Sequence, residues 1–160
     1  MKEKERLIFS INRFDHYYDS INNKASVLLS IAALANGGYL ALLNSGLINF
    51  RELGVASFLF GVVLILGVVD LILLLQTIAP FTSKSGSSIF YFGDISKRNR
   101  KEFKKLSRKI SDKRVMSDLQ NQVHSLASGL HKKFTKLRMA AWLFLAQVVL
   151  IGIVIIIINI

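Results

Sequence analysis

The sequence predicts an all-α integral membrane protein. It has three transmembrane helices and a cytoplasmic helical extension, built from an N-terminal helix and the loop between spans two and three. Three observations predict this. Three stretches are long and apolar enough to cross a hydrocarbon core, the basic residues are segregated away from them, and the chain holds one proline, no cysteine and no strand pattern of any length. Mean hydropathy is +0.45 although the formal net charge is +11, which requires apolar and basic residues to be kept apart. The 160 residues are read as a single domain, 1–160, in five parts: an amphipathic helix 1–24, span one 25–43, span two 54–78, a basic helical region 79–138 and span three 139–160.

A membrane-crossing helix needs about 20 apolar residues. Span one has 19 residues without a charge, span two has 25 with Asp70 as its sole charge, and span three has 22 without a charge. A helix of a soluble core shows one apolar stripe, whereas these are apolar all round. Asp70 does not prevent insertion: a central aspartate costs roughly 3 kcal/mol and each Leu, Ile, Phe or Val returns roughly 0.3–0.6. Span two holds 17 such residues. The leader before span one carries four carboxylates and no short apolar core with a cleavage site, so it reads as a retained helix and not a signal peptide.

Lysine and arginine set orientation. Residues 1–24 carry five, the link 44–53 carries Arg51 alone, and the loop 79–138 carries fifteen. The N-terminus and the long loop are therefore expected inside, with the 44–53 link and the C-terminus outside. The basic surplus suits anionic lipid head groups at about 1 kcal/mol per residue, and the topology demands it in any case. It is not read as a nucleic-acid interface.

Within the extension, Leu7, Ile11, Phe14, Tyr18 and Ile21 form a heptad stripe on one helix, and Leu119, Val123, Leu126, Leu130, Phe134 and Leu137 form another. Residues 112–138 are expected to continue as a helix into Met139, and the two stripes to pack together as a stalk. Pro80 ends the second span. Residues 82–88 read as a loop, 88–96 as an aromatic cluster, and 97–110 as a basic helix with Phe103, Leu106 and Ile110 on one side.

Several residues carry candidate chemistry. Asp70 is an intramembrane ionisable group, read either as facing a water-filled path or as a packing residue reaching Asn36. Ala33, Gly37 and Ala41, with Ser57 and Gly61 on the second span, have the small-xxx-small spacing of close helix contacts, within one protomer or between protomers. Phe90, Tyr91 and Phe92 offer stacking faces, while Gly93 and Asp94 complete the cluster. Arg98 and Arg100 offer phosphate partners, and the following helix N-terminus favours anions. The alternative for this cluster is an interfacial aromatic belt with an Asp94 cap. His16, His124 and His131 lack ligand partners at metal spacing. No catalytic constellation or phosphate-cradling glycine loop is present, so the chain reads as a non-enzyme without a cofactor.

The order of these features resembles a known family. An amphipathic leader ends in INNKAS (21–26), and two spans close near Pro80. IFYFGDIS (89–96) and a basic helix follow, and HKKFTKLRMA (131–140) leads into the third span. This resembles the transmembrane effectors of Pycsar, a bacterial anti-phage system. Lys24 and Ala25 look like that family's lysine-alanine pair, and Phe90–Asp94 like its aromatic-glycine-aspartate motif. Phe134 stands where the pattern would place a tyrosine. The resemblance implies an effector in the bacterial inner membrane. A partner pyrimidine nucleotide cyclase would supply a cyclic nucleotide second messenger of the cyclic UMP or cyclic CMP class, and a homo-oligomer would then impair the membrane and abort infection. Two alternatives stand beside it: a holin-like pore protein, and a non-toxic scaffold subunit of a larger channel or transporter.

Overall fold

The computed structural model of the protein describes residues 2–44, 54–80 and 88–158, and among these every regular element is a helix. Most of the 44–53 link and of the 82–88 loop lies outside the described residues. The order is α1 (Glu3–Asn44), α2 (Gly54–Ile78), α3 (Phe92–Ile95), α4 (Arg100–Lys109) and α5 (Asp112–Ile158). Both expected helix fusions are present: α1 runs 42 residues and α5 runs 47 without a break. Three helices are long and apolar enough to cross a membrane.

Two compact units make up the chain. One combines Met1–Ser20 with Pro80–Lys132, the other Ile21–Ala79 with Lys133–Ile160.

In the membrane unit the three helices bury a seam with a period of 3.5 residues. Along α1, Ala25, Ala32 and Tyr39 are buried. Along α2 the buried series is Phe60, Val63, Gly67, Asp70, Leu74 and Thr77, and along α5 it is Lys133, Ala140, Gln147 and Val154. Alternating steps of three and four keep one face toward neighbouring helices in left-handed packing. Ala25, Leu74 and Ala140 meet in one cluster, whereas Tyr39, Phe60, Val63 and Val154 meet in another, where Tyr39 and Phe60 stack at 4.0 Å. Two clusters in this order make α1 and α5 parallel and α2 antiparallel to both. Large apolar side chains such as Leu34, Phe58, Ile65 and Trp142 project outward and are exposed, as lipid-facing residues are.

In the polar unit the leader stripe is inward. Leu7, Ile11, Phe14 and Tyr18 are partly buried while Phe9 is exposed. The Tyr18 hydroxyl donates to the Leu126 carbonyl at 2.9 Å, and the Gln120 side-chain amide donates to Glu3 at 2.9 Å. These bonds join the two amphipathic segments as expected. Burial, and then Asp15 nearby, push the Tyr18 phenol up to about 12 from 10.0. A phenol held neutral by the fold adds stability that is complete below pH 10 and lost as pH rises from 10 toward 12. Tyr18→Phe is therefore expected to cost about 1 kcal/mol at neutral pH and to shrink the loss of thermal stability over that alkaline window. Melting curves of both proteins at pH 8 and pH 11 test this.

Along α5 the inward face passes through Lys133, 7% exposed, whereas Phe134 is 43% exposed. The expected stripe thus holds at Leu119, Val123, Leu126, Leu130 and Leu137, and Lys133 takes the inward place expected for Phe134. Lys133 Nζ donates to the Thr77 carbonyl at 2.6 Å and to Asn22 Oδ1 at 3.0 Å. The Thr77 hydroxyl is itself bonded back to Leu73, and the lysine serves a backbone carbonyl in the last turn of α2. Burial, and then Lys136, hold its ammonium below the usual lysine pKa.

Candidate functional site

Two constellations carry polar chemistry. The first is the turn 88–98 in the polar unit. Ser88 is its hub and is almost fully buried. Its backbone N–H donates to Asp94 Oδ2 at 2.9 Å, and its carbonyl accepts from the Arg98 guanidinium at 2.8 Å. Its hydroxyl donates to Asp118 Oδ2 at 3.0 Å and accepts from the N–H groups of Phe90 and Tyr91 and from Gln122. Asp118 Oδ2 also accepts from the Ile89 N–H at 2.8 Å. Two carboxylates thirty positions or less from the serine thus fold the segment into a fixed turn, with α3 as its single helical turn.

The expected ligand residues divide on this turn. Asp94 is buried and bonded to Ser88, Arg98 is spent on the Ser88 carbonyl, and Tyr91 lies over Gly93. A Cβ added to Gly93 would meet the Tyr91 ring at 2.6 Å, which is why glycine stands there. Phe90 and Phe92 are exposed, as is Arg100, and Phe92 leans on Tyr91 at 4.9 Å in a tilted pair. The α4 N-terminus is closed by a capping box: Asn99 accepts from Lys101 and Glu102, and Glu102 reaches back to the Asn99 N–H. Its first-turn donors and dipole are therefore matched by a carboxylate, not left open to an anion.

The second constellation is a polar layer between the two apolar clusters of the membrane unit. Gln147 on α5 donates to Asn36 Oδ1 on α1 at 2.8 Å and approaches the Val63 carbonyl on α2 at 3.4 Å, while Asn36 donates back to Ala32 at 2.7 Å. Gly67 faces the pair. A Cβ there would collide with Asn36 Oδ1 and stand 2.6 Å from Gln147 Nε2. Asp70, one turn along α2, is completely buried, and neither carboxyl oxygen has a hydrogen-bond partner among the described residues. The expected reach of Asp70 to Asn36 is replaced by the Gln147–Asn36 pair.

Among the described residues, the small-residue stripe on α1 is left largely uncovered. Ala33, Gly37 and Ala41 are exposed, and Gly37 and Gly61 would each accept a Cβ with nothing within 4 Å. Ser57 and Gly61 on α2 are half-buried. Ser88, Asp118, Gly67, Lys133 and Gln147 were not among the expected site residues.

A family model described as Pycsar effector protein domain matches residues 6–158. No curated protein and no solved structure matches the chain.

Proposed function

The chain belongs to the Pycsar effector protein domain family, whose members are anti-phage transmembrane effectors, and on that premise we propose that a cyclic pyrimidine nucleotide from a partner cyclase triggers it to impair the inner membrane. The observation that supports this most is the continuity of α1 and α5. Each is one helix from its polar, amphipathic part to its apolar part, so the two parts are joined without an intervening loop. A ligand moves such a system only by binding one arrangement better than the other.

In this reading the 1–24 and 79–138 regions are cytoplasmic, since twenty of the twenty-one basic residues lie there. Three spans enclose no wide pore, so several protomers assemble. The exposed Ala33, Gly37 and Ala41 face supplies the close contact between copies that lipid favours. Asp70 becomes a residue of the lesion once the bundle rearranges. Phe90, Phe92 and Arg100 remain accessible to a ligand or to head groups.

The test is depolarisation of cells carrying the chain with or without an active neighbouring cyclase, read by a potential-sensitive dye. Loss of potential is expected only with the active cyclase. Loss without any cyclase favours a holin-like pore, and no loss in either case favours a passive scaffold.

A further inference from the structure

The polar unit contains a half-open cleft of about 400 Å³ between Ile89 in the segment before α3, the α4–α5 junction at Ile110 and the first turns of α5. That volume falls in the range of about 300–1,000 Å³ typical of small-ligand sites. It lies beside the Ser88 turn and shares Ile89 and Asp118 with it, and its lining is chemically divided. Ile89 and Ile110 give it apolar walls. Lys113 and Arg114 place two cations on the first turn of α5, beside Asp112 in the same turn. Ser117, Asp118 and Asn121 follow at helical spacing on the same face and supply hydroxyl, carboxylate and amide.

We propose that this cleft is the seat of the cyclic nucleotide, with the phosphodiester on Lys113 and Arg114 and the base between Ile89 and Ile110. This rests on the reading of the protein as a nucleotide-triggered effector. The polar groups suit a pyrimidine. Asp118 Oδ2 holds Ser88 and Ile89, while Oδ1 accepts nothing from the described residues. A carboxylate oxygen accepts from the N3–H of uracil or the 4-amino group of cytosine. Asn121 offers both a donor and an acceptor to the neighbouring edge.

The site also connects binding to movement. Asp118 fixes the start of the 88–96 turn, so an occupant that recruits its carboxylate changes how that turn is held. Lys113 and Arg114 stand on α5, the same helix that ends in the third span. Arg108 and Lys109 close α4 just before Ile110 and add to the positive field at the mouth.

The experiment measures equilibrium binding of labelled 3′,5′-cyclic UMP and 3′,5′-cyclic CMP to the full chain in nanodiscs. Its variants are Lys113→Glu with Arg114→Glu, Ser117→Trp to fill the cleft, and Lys105→Glu on α4 as a charge change outside it. All four positions are exposed, and melting curves confirm that each variant is folded. The double charge reversal is expected to weaken binding at least tenfold, Ser117→Trp to abolish it and Lys105→Glu to change it less than twofold. If the wild-type chain binds neither nucleotide, direct sensing fails. If it binds and the cleft variants bind as well, sensing stands and the cleft is wrong. Equal weakening by Lys105→Glu, or displacement by inorganic phosphate as effective as by unlabelled nucleotide, reduces the effect to bulk charge and overturns the assignment.

Discussion

Asp70→Leu is expected to raise the melting temperature of the chain in detergent and to abolish cyclase-dependent depolarisation. The carboxyl group is wholly buried between helices, and neither oxygen has a partner among the described residues. Burying a polar group without a hydrogen bond costs about 1–3 kcal/mol in proteins. Leucine keeps the branched skeleton, with larger methyl groups in place of the oxygens, and removes that cost, so a gain of up to about 1–3 kcal/mol follows. Keeping such a residue at the centre of the bundle makes physical sense if another arrangement solvates it. In that case leucine stabilises the resting bundle and removes the reward for leaving it, as intramembrane ionisable groups on functional paths lead one to expect. Asp70→Asn keeps shape and polarity and is expected to retain part of the response. A lower melting temperature for Asp70→Leu would show that the carboxyl makes bonds in the bundle, and unchanged killing would remove Asp70 from the mechanism.

Ser88→Ala is expected to open the 88–98 turn. One hydroxyl serves Asp118, two backbone N–H groups and Gln122 in a nearly water-free position. Each buried group left unsatisfied costs about 1–3 kcal/mol, and the two backbone amides together with the carboxylate lose their shared partner at once. About 3 kcal/mol of local stability is at stake, which raises the open population about a hundredfold. Limited trypsin digestion at Lys97 and Arg98 should accelerate by a similar factor while the membrane helices melt unchanged. A digestion rate equal to wild type would mean that Asp94 and Arg98 hold the turn without the hydroxyl.

These two residues mark different limits on what the sequence discloses. The span helices were legible because hydrocarbon demands a run of about 20 apolar residues, and the amphipathic helices because their stripes must be covered. Which face of a span turns inward was not legible. When a helix is apolar all round, its composition carries no vector, and the choice between Ala32–Asn36 and Ala33–Gly37 on α1 falls to contacts with other helices. Asn36 and Gln147 sit 111 positions apart, and neither is unusual by itself. Lys133 displaced Phe134 from the seam because it caps the Thr77 carbonyl, a role set by where α2 ends. Ser88 is one serine in a run of small polar residues, and only its bonds to Asp94 and Asp118 distinguish it.

The amide pair across the gap at Gly67 has a mechanical consequence. A slide of α1 along α5 by a single turn, about 5.4 Å, would break the 2.8 Å bond between Asn36 and Gln147. Gradual slippage is therefore penalised from its first ångströms, like a latch that holds until it is lifted. The bundle is thereby held in register at that level.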